Sequence, residues 1–175
     1  MASLKSRILI RILSLPVVMG LLTLWPAGTF DFWQVYAYVL LVLVLSAVAT
    51  GYFLRHDPAL LKRRLRTRER QSTQKAVIPV LLVLVVAGFV VPGLDRRYGW
   101  SDIPLEVVLA AFALVTLAYL FVFWVMTINS FASRVIEVAE NQQVIRTGPY
   151  AVIRHPMYTG VTVMYLMTPV ALGSW

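Results

Sequence analysis

Residues 104–128 read PLEVVLAAFALVTLAYLFVFWVMTI, and this stretch decides the fold class. It contains a single charged side chain, Glu106, which lies close to its start. About 20 consecutive apolar residues are enough to cross the hydrocarbon core of a bilayer as an α-helix. The stretch therefore predicts a transmembrane helix.

Three further apolar stretches precede it and one follows it, so we predict an all-α integral membrane protein with about five transmembrane helices. They cover residues 8–26, 32–54, 76–92 and 157–175. The composition agrees, because 59% of the 175 residues are hydrophobic and 14% are charged, whereas a soluble domain averages about 25% charged residues. A chain of this length is expected to form one membrane domain.

The basic residues cluster on one side of the predicted spans. The N-terminal tail, residues 55–75 and residues 129–155 carry most of the positive charge, and the loops on the other side are short and nearly neutral or acidic. The positive-inside rule therefore predicts a multi-pass protein with a cytoplasmic N-terminus, which we expect in a bacterial inner membrane. In this setting the net charge of +8 indicates contact with anionic membrane lipids and not with nucleic acid.

Residues 55–75 form the most basic segment of the chain. Leu60, Leu61 and Leu65 recur at helical spacing among the basic residues, which predicts a short amphipathic helix on the membrane surface. A patch that steers anionic lipid headgroups is the alternative. Cysteine is absent from the chain, which excludes disulfides, a thiol nucleophile and a zinc–thiolate site, and we predict no metal site.

The longest polar stretch, residues 129–160, reads NSFASRVIEVAENQQVIRTGPYAVIRHPMYTG. Residues 135–146 are typical of a small hairpin on the membrane surface. Gly148 and Pro149 predict a turn, and Pro156 is a favoured first residue of a helix. A helix that starts there presents free N–H groups at the membrane face, which suit a carboxylate or a phosphate.

Residues 141–160 are therefore the predicted site segment. Taken singly, Arg154 and His155 are typical anchors at the end of a span, and Tyr150 and Tyr158 are typical of an aromatic belt. Their combination with a Gly-Pro turn and a helix-starting proline within residues 148–160 favours a binding site.

The segment GPYAVIRHPMYTG, residues 148–160, resembles a motif, G-P-Y-x-x-x-R-H-P-x-Y-x-G, that two enzyme groups share. These are the isoprenylcysteine carboxyl methyltransferases and the phospholipid methyltransferases, which are small integral membrane enzymes that use S-adenosylmethionine. The matching positions are Gly148, Pro149, Tyr150, Arg154, His155, Pro156, Tyr158 and Gly160.

The resemblance implies a role for each matched position. Arg154 and His155 become the candidate catalytic residues and bind the cofactor at its carboxylate end. Tyr150 and Tyr158 shape the cofactor pocket, and the matched glycines and prolines set the backbone bends. Arg146, just before the motif, is a further candidate for cofactor binding.

The methyl acceptor follows less directly, because both enzyme groups share the motif. We expect a lipid or lipid-modified substrate that enters from the bilayer, with the carboxylate of a prenylated cysteine favoured. The amine of phosphatidylethanolamine and a small thiol are the alternatives, and a non-catalytic scaffold or transporter subunit is the alternative of another class. Residues 32–54 and 76–92 contain no charged side chain, which weighs against transport.

The C-terminal end departs from the pattern that the resemblance implies. Members of these groups continue with a further helix and a cytosolic tail that carries an acidic pair, whereas this sequence ends at Gly173, Ser174 and Trp175. We therefore expect the C-terminal part of the family domain to be missing from this chain.

Overall fold

The computed structural model describes residues 4–64, 72–129 and 145–175. Within these ranges the regular secondary structure is entirely helical, which confirms the all-α fold class. The elements are α1 (Leu4–Ala27), α2 (Trp33–His56), α3 (Pro58–Arg64), α4 (Ser72–Tyr98), α5 (Leu105–Ile128), a short 3₁₀ helix (Gly148–Ala151) and α6 (Pro156–Ala171).

Three described segments are long and apolar enough to cross a membrane: Trp33–His56, Ile78–Tyr98 and Leu105–Ile128. They correspond to α2, most of α4 and α5, on which three of the predicted spans fall. α1 contributes a shorter apolar segment, Ile12–Ala27. The chain is therefore an integral membrane protein, as its hydropathy indicates.

The five long helices pack in a ring. α5 packs along α6 and also contacts α2, α2 packs on α1, α1 packs along α4, and α4 contacts α6. The buried core of this ring includes Tyr38, Phe89, Val115 and Leu172. Across the core, the hydroxyls of Tyr38 on α2 and Thr168 on α6 are 2.7 Å apart. This bond satisfies two polar groups that would otherwise be buried among apolar side chains.

Close helix approaches occur where a glycine removes the side chain. A Cβ at Gly160 on α6 would lie 2.6 Å from Cγ2 of Val122 and 3.3 Å from the carbonyl oxygen of Ala118, both on α5. Gly93 allows a similar approach of α4 to the backbone of Thr23 on α1. Small residues at such crossings allow the dense packing that holds membrane helices together.

The bundle has two ends, and side-chain contacts tie each one together. At the first, which we call the motif end, the Nη1 of Arg64 on α3 is 3.7 Å from the Sδ of Met157 on α6. At the opposite end, the carboxylate of Asp95 accepts hydrogen bonds from Ser101 and Ser174. A cytosolic position of the motif end is a prediction from the basic residues.

Two surface elements were predicted at the motif end, and the structure describes one of them. The short amphipathic helix is present as α3, in which Leu60 is fully buried and Lys62 is exposed. The hairpin predicted over residues 135–146 lies outside the described residues, apart from its last two positions.

Candidate functional site

The first turn of α6 places three of the candidate residues. Pro156 occupies the first helical position, as predicted, and His155 precedes it with non-helical backbone angles, φ −130° and ψ 63°. The proline ring presets the helical φ and removes an N–H that would have no partner in the helix. Arg154 and His155 are consequently exposed at the motif end of the bundle, and Tyr158 follows on the first turn.

The 3₁₀ helix brings the Gly-Pro turn against the end of α5. Gly148 has a φ of +57°, which favours glycine over other residues. A Cβ at this position would lie 2.5 Å from Cδ1 of Ile128, the end of a flexible side chain that can shift, so the positive φ is the stronger reason for glycine here. Pro149 is buried beside it, and the predicted turn is confirmed.

A hydrogen bond joins the 3₁₀ helix to α5. The Nδ2 of Asn129, directly after α5, donates to the hydroxyl of Tyr150 over 2.8 Å. This contact orients the Tyr150 ring and fixes the distance between two segments that are 21 residues apart in sequence. Asn129 is not among the residues predicted from the sequence, because a polar residue directly after an apolar helix is common and does not by itself indicate a site.

Five of the predicted residues line one shallow cavity of about 190 Å³. They are Tyr150, Arg154, His155, Pro156 and Tyr158, and the structure adds Asn129 and Met157. The rings of His155 and Tyr158 lie side by side, with their centroids 5.7 Å apart.

The remaining predicted residues lie elsewhere. Gly148 and Pro149 contact α5 and support the cavity without lining it. Gly160 is buried at the α5–α6 crossing. Arg146 is exposed and is not among the residues that line the cavity.

The chemistry of the cavity fits one end of S-adenosylmethionine. Arg154 and His155 supply donors for a carboxylate, and no acidic side chain is among the described residues that line the cavity. The rings of Tyr150 and Tyr158 offer faces on which an adenine can stack. The volume is below the roughly 300–1,000 Å³ of a typical ligand pocket, so these residues fit part of the cofactor. In the described ranges, His and acidic residues form no cluster that suits a metal ion.

Two apolar grooves flank the first turns of α6. The groove between α4 and α6, of about 430 Å³, shares Tyr158 with the cavity described above. A cleft of about 410 Å³ lies between α2, α5 and α6, and Arg64 is part of its lining. A hydrocarbon chain in the α4–α6 groove can therefore lie next to the polar residues of the motif.

The comparison with protein families agrees with this geometry. Residues 107–175 match the family model described as phospholipid methyltransferase. The match contains α6, the 3₁₀ helix and every described residue that lines the cavity. No curated protein and no solved structure matches the chain. Residues 107–175 are thus similar to the phospholipid methyltransferase family.

Proposed function

We propose that this chain transfers a methyl group from S-adenosylmethionine to a lipid-tailed acceptor at the cytosolic face of the membrane. The observation that carries the proposal is that Tyr150, Arg154, His155 and Tyr158 line one cavity, and that Tyr158 also lines an apolar groove. All four residues lie in the segment that matches the methyltransferase family. A polar cavity that adjoins an apolar groove suits a water-soluble cofactor and a membrane-embedded substrate.

In this proposal, the cavity residues bind and orient the cofactor. Arg154 and His155 donate hydrogen bonds to the carboxylate of the cofactor, and the tyrosine rings hold its adenine. When bound, the cofactor supplies a methyl group on a sulfonium, and the bond from carbon to the acceptor forms as the sulfur–carbon bond breaks. Alignment of the acceptor with that methyl group accounts for much of the catalysis.

The acceptor that we place first is the amine of a phospholipid. The sequence favours a prenylcysteine carboxylate, whereas the description of the matching family favours the phospholipid. An amine must be neutral to attack, so a proton acceptor near the cavity is an advantage. Among the described residues that line the cavity, His155 supplies the imidazole, and it lies beside Tyr158, which also lines the α4–α6 groove. One nitrogen of a neutral imidazole can donate to the cofactor while the other accepts the proton. A carboxylate acceptor is already ionised and makes less use of this arrangement.

Labelled methyl transfer tests the proposal. Purified protein is incubated with labelled S-adenosylmethionine and, side by side, with phosphatidylethanolamine, a prenylcysteine analogue and a small thiol. Because a charge-assisted hydrogen bond contributes about 1.5–3 kcal/mol, Arg154→Ala should lower transfer at least about tenfold. Arg96→Ala, at the opposite end of the bundle, is the matched control and should leave transfer unchanged.

Two results would count against the proposal. Near-normal transfer by the folded Arg154→Ala variant would remove Arg154 from the site. A failure of the wild-type protein to bind S-adenosylmethionine in detergent would favour a non-catalytic scaffold or transporter subunit instead.

A further inference from the structure

The groove between α4 and α6 has two chemically different walls. The α4 wall is apolar and includes Leu81, Leu84 and Val85. The α6 wall carries hydroxyl groups from Tyr158, Thr162 and Tyr165, which also line the groove. These three residues are spaced four and three apart, so they lie on one face of the helix. We call them the hydroxyl stripe.

The two deeper hydroxyls of the stripe have no hydrogen-bond partner among the described residues. In Thr168 and Thr116, by contrast, the hydroxyl donates to the carbonyl oxygen four residues earlier, over 2.7 Å and 2.8 Å. Thr162 forms no such bond in the structure, and Tyr165, which also lines the groove, is 52% exposed. Both hydroxyls are therefore available to a molecule in the groove.

The depth of these hydroxyls makes their lack of a partner significant. With a rise of 1.5 Å per residue, Thr162 lies about 6 Å and Tyr165 about 10 Å beyond Tyr158 along α6. The polar interface of a bilayer is about 5–8 Å thick on each side of the hydrocarbon. With Tyr158 at headgroup level, where the tyrosines of an aromatic belt lie, the stripe extends from there to the outer edge of the hydrocarbon. A hydroxyl there finds little water, and leaving it without a partner is unfavourable.

We propose that the α4–α6 groove binds a diacyl glycerophospholipid, with Thr162 and Tyr165 donating hydrogen bonds to its acyl ester carbonyls. Ester carbonyls are acceptors that lie between the headgroup and the chains, which is the depth that the stripe reaches. The acyl chains lie against the leucines and valine of α4. This inference rests on the proposed function only in that the groove then holds the methyl acceptor.

The continuity of the groove with the motif cavity places the headgroup. Tyr158 lines both spaces, and Arg154 and His155 lie on the cavity side of it. A lipid with its esters at the stripe thus has its phosphate and amine near these two basic side chains. A prenyl chain is hydrocarbon along its length and provides no acceptor for the stripe.

Lipid binding to the purified full chain tests the inference without methyl transfer. Protein in detergent is equilibrated with phosphatidylethanolamine in an ester-linked and an otherwise identical ether-linked form, and the bound lipids are counted by native mass spectrometry. Hydrogen bonds within membranes average about 0.6 kcal/mol, so two of them should favour the ester form about five- to tenfold. The double variant with Thr162→Val and Tyr165→Phe, which nearly conserves volume, should remove that preference.

A matched control removes a hydroxyl from the other cleft. The hydroxyl of Tyr119 pairs with that of Ser46 at 3.0 Å and lines the cleft beside α2 and α5. Tyr119→Phe should keep the preference for the ester lipid. The single variants Thr162→Val and Tyr165→Phe should each lower the preference about two- to threefold. If the double variant does not fold, the single variants provide the test.

The outcomes separate the inference from the proposed function. Equal binding of ester and ether lipids by the wild-type protein, or an ester preference that survives in the folded double variant, would overturn the inference. If the ester preference is lost in the double variant and the wild-type protein transfers no methyl group, the inference about the groove is supported and the proposed function is overturned. Stronger binding of a prenylcysteine analogue than of either phospholipid would also overturn the inference.

Discussion

Asp95 is a buried carboxylate near the end of α4, and it joins three parts of the chain. It is only 3% exposed. The backbone N–H of Ser101 donates to it over 2.8 Å and the hydroxyl of Ser101 over 2.7 Å. The hydroxyl of Ser174, which follows α6, also donates to it. These bonds connect α4, the α4–α5 loop and the segment after α6.

Replacement of Asp95 by alanine should lower the stability of the protein by about 2 kcal/mol. Ser101 is half-buried, so water can replace its bonds, whereas Ser174 is 1% exposed and loses its acceptor. A buried donor without an acceptor costs about 1–3 kcal/mol. For a chain of this size, each kcal/mol shifts the Tm by about 2–4 °C, so we expect a decrease of about 4–8 °C.

Thermal unfolding in detergent, followed by size-exclusion chromatography after heating, measures this change. Asp31→Ala is the matched control, because Asp31 at the same end is 94% exposed and lies 3.7 Å from Arg96. Exposed ion pairs contribute little, so its Tm should fall by less than about 2 °C. Equal shifts for the two variants would refute the reasoning. The double variant with Asp95→Ala and Ser174→Ala should lose less stability than the sum of the two single variants.

Two further predictions concern the contacts of α6. Gly160→Ala should lower the Tm, because overpacking against α5 costs about 1–3 kcal/mol and the gain in helix propensity is at most about 1 kcal/mol. Gly51→Ala, where a Cβ meets open space, should raise the Tm slightly, and shifts of the same sign in both variants would contradict the packing argument. Thr168→Val should destabilise the protein more than Tyr38→Phe, because it leaves the buried Tyr38 hydroxyl without its partner. In the Tyr38→Phe variant, the Thr168 hydroxyl keeps its bond to the carbonyl oxygen four residues earlier. A lower Tm for Tyr38→Phe than for Thr168→Val would contradict this reasoning.

The polar motif was predictable because its residues are neighbours in the sequence. The proline at position 156 starts α6 and the glycine at 148 forms the turn, so local backbone preferences place Tyr150, Arg154 and His155 at the same end of the bundle. Asn129 was not predicted, because its contact with Tyr150 depends on how α5 ends relative to the 3₁₀ helix. No local preference determines that distance.

The sequence by itself determined that this chain forms long apolar helices in a membrane, since a bilayer accepts a backbone whose hydrogen bonds are satisfied internally. It also determined that Gly160 and Thr162 belong to one helix. Only the tertiary structure decided that Gly160 packs against α5 while Thr162 lines a groove against α4. The physical reason is that a membrane helix is apolar on most of its surface, so hydropathy does not indicate which face meets which neighbour. That choice depends on the fit of side chains from helices far apart in the sequence.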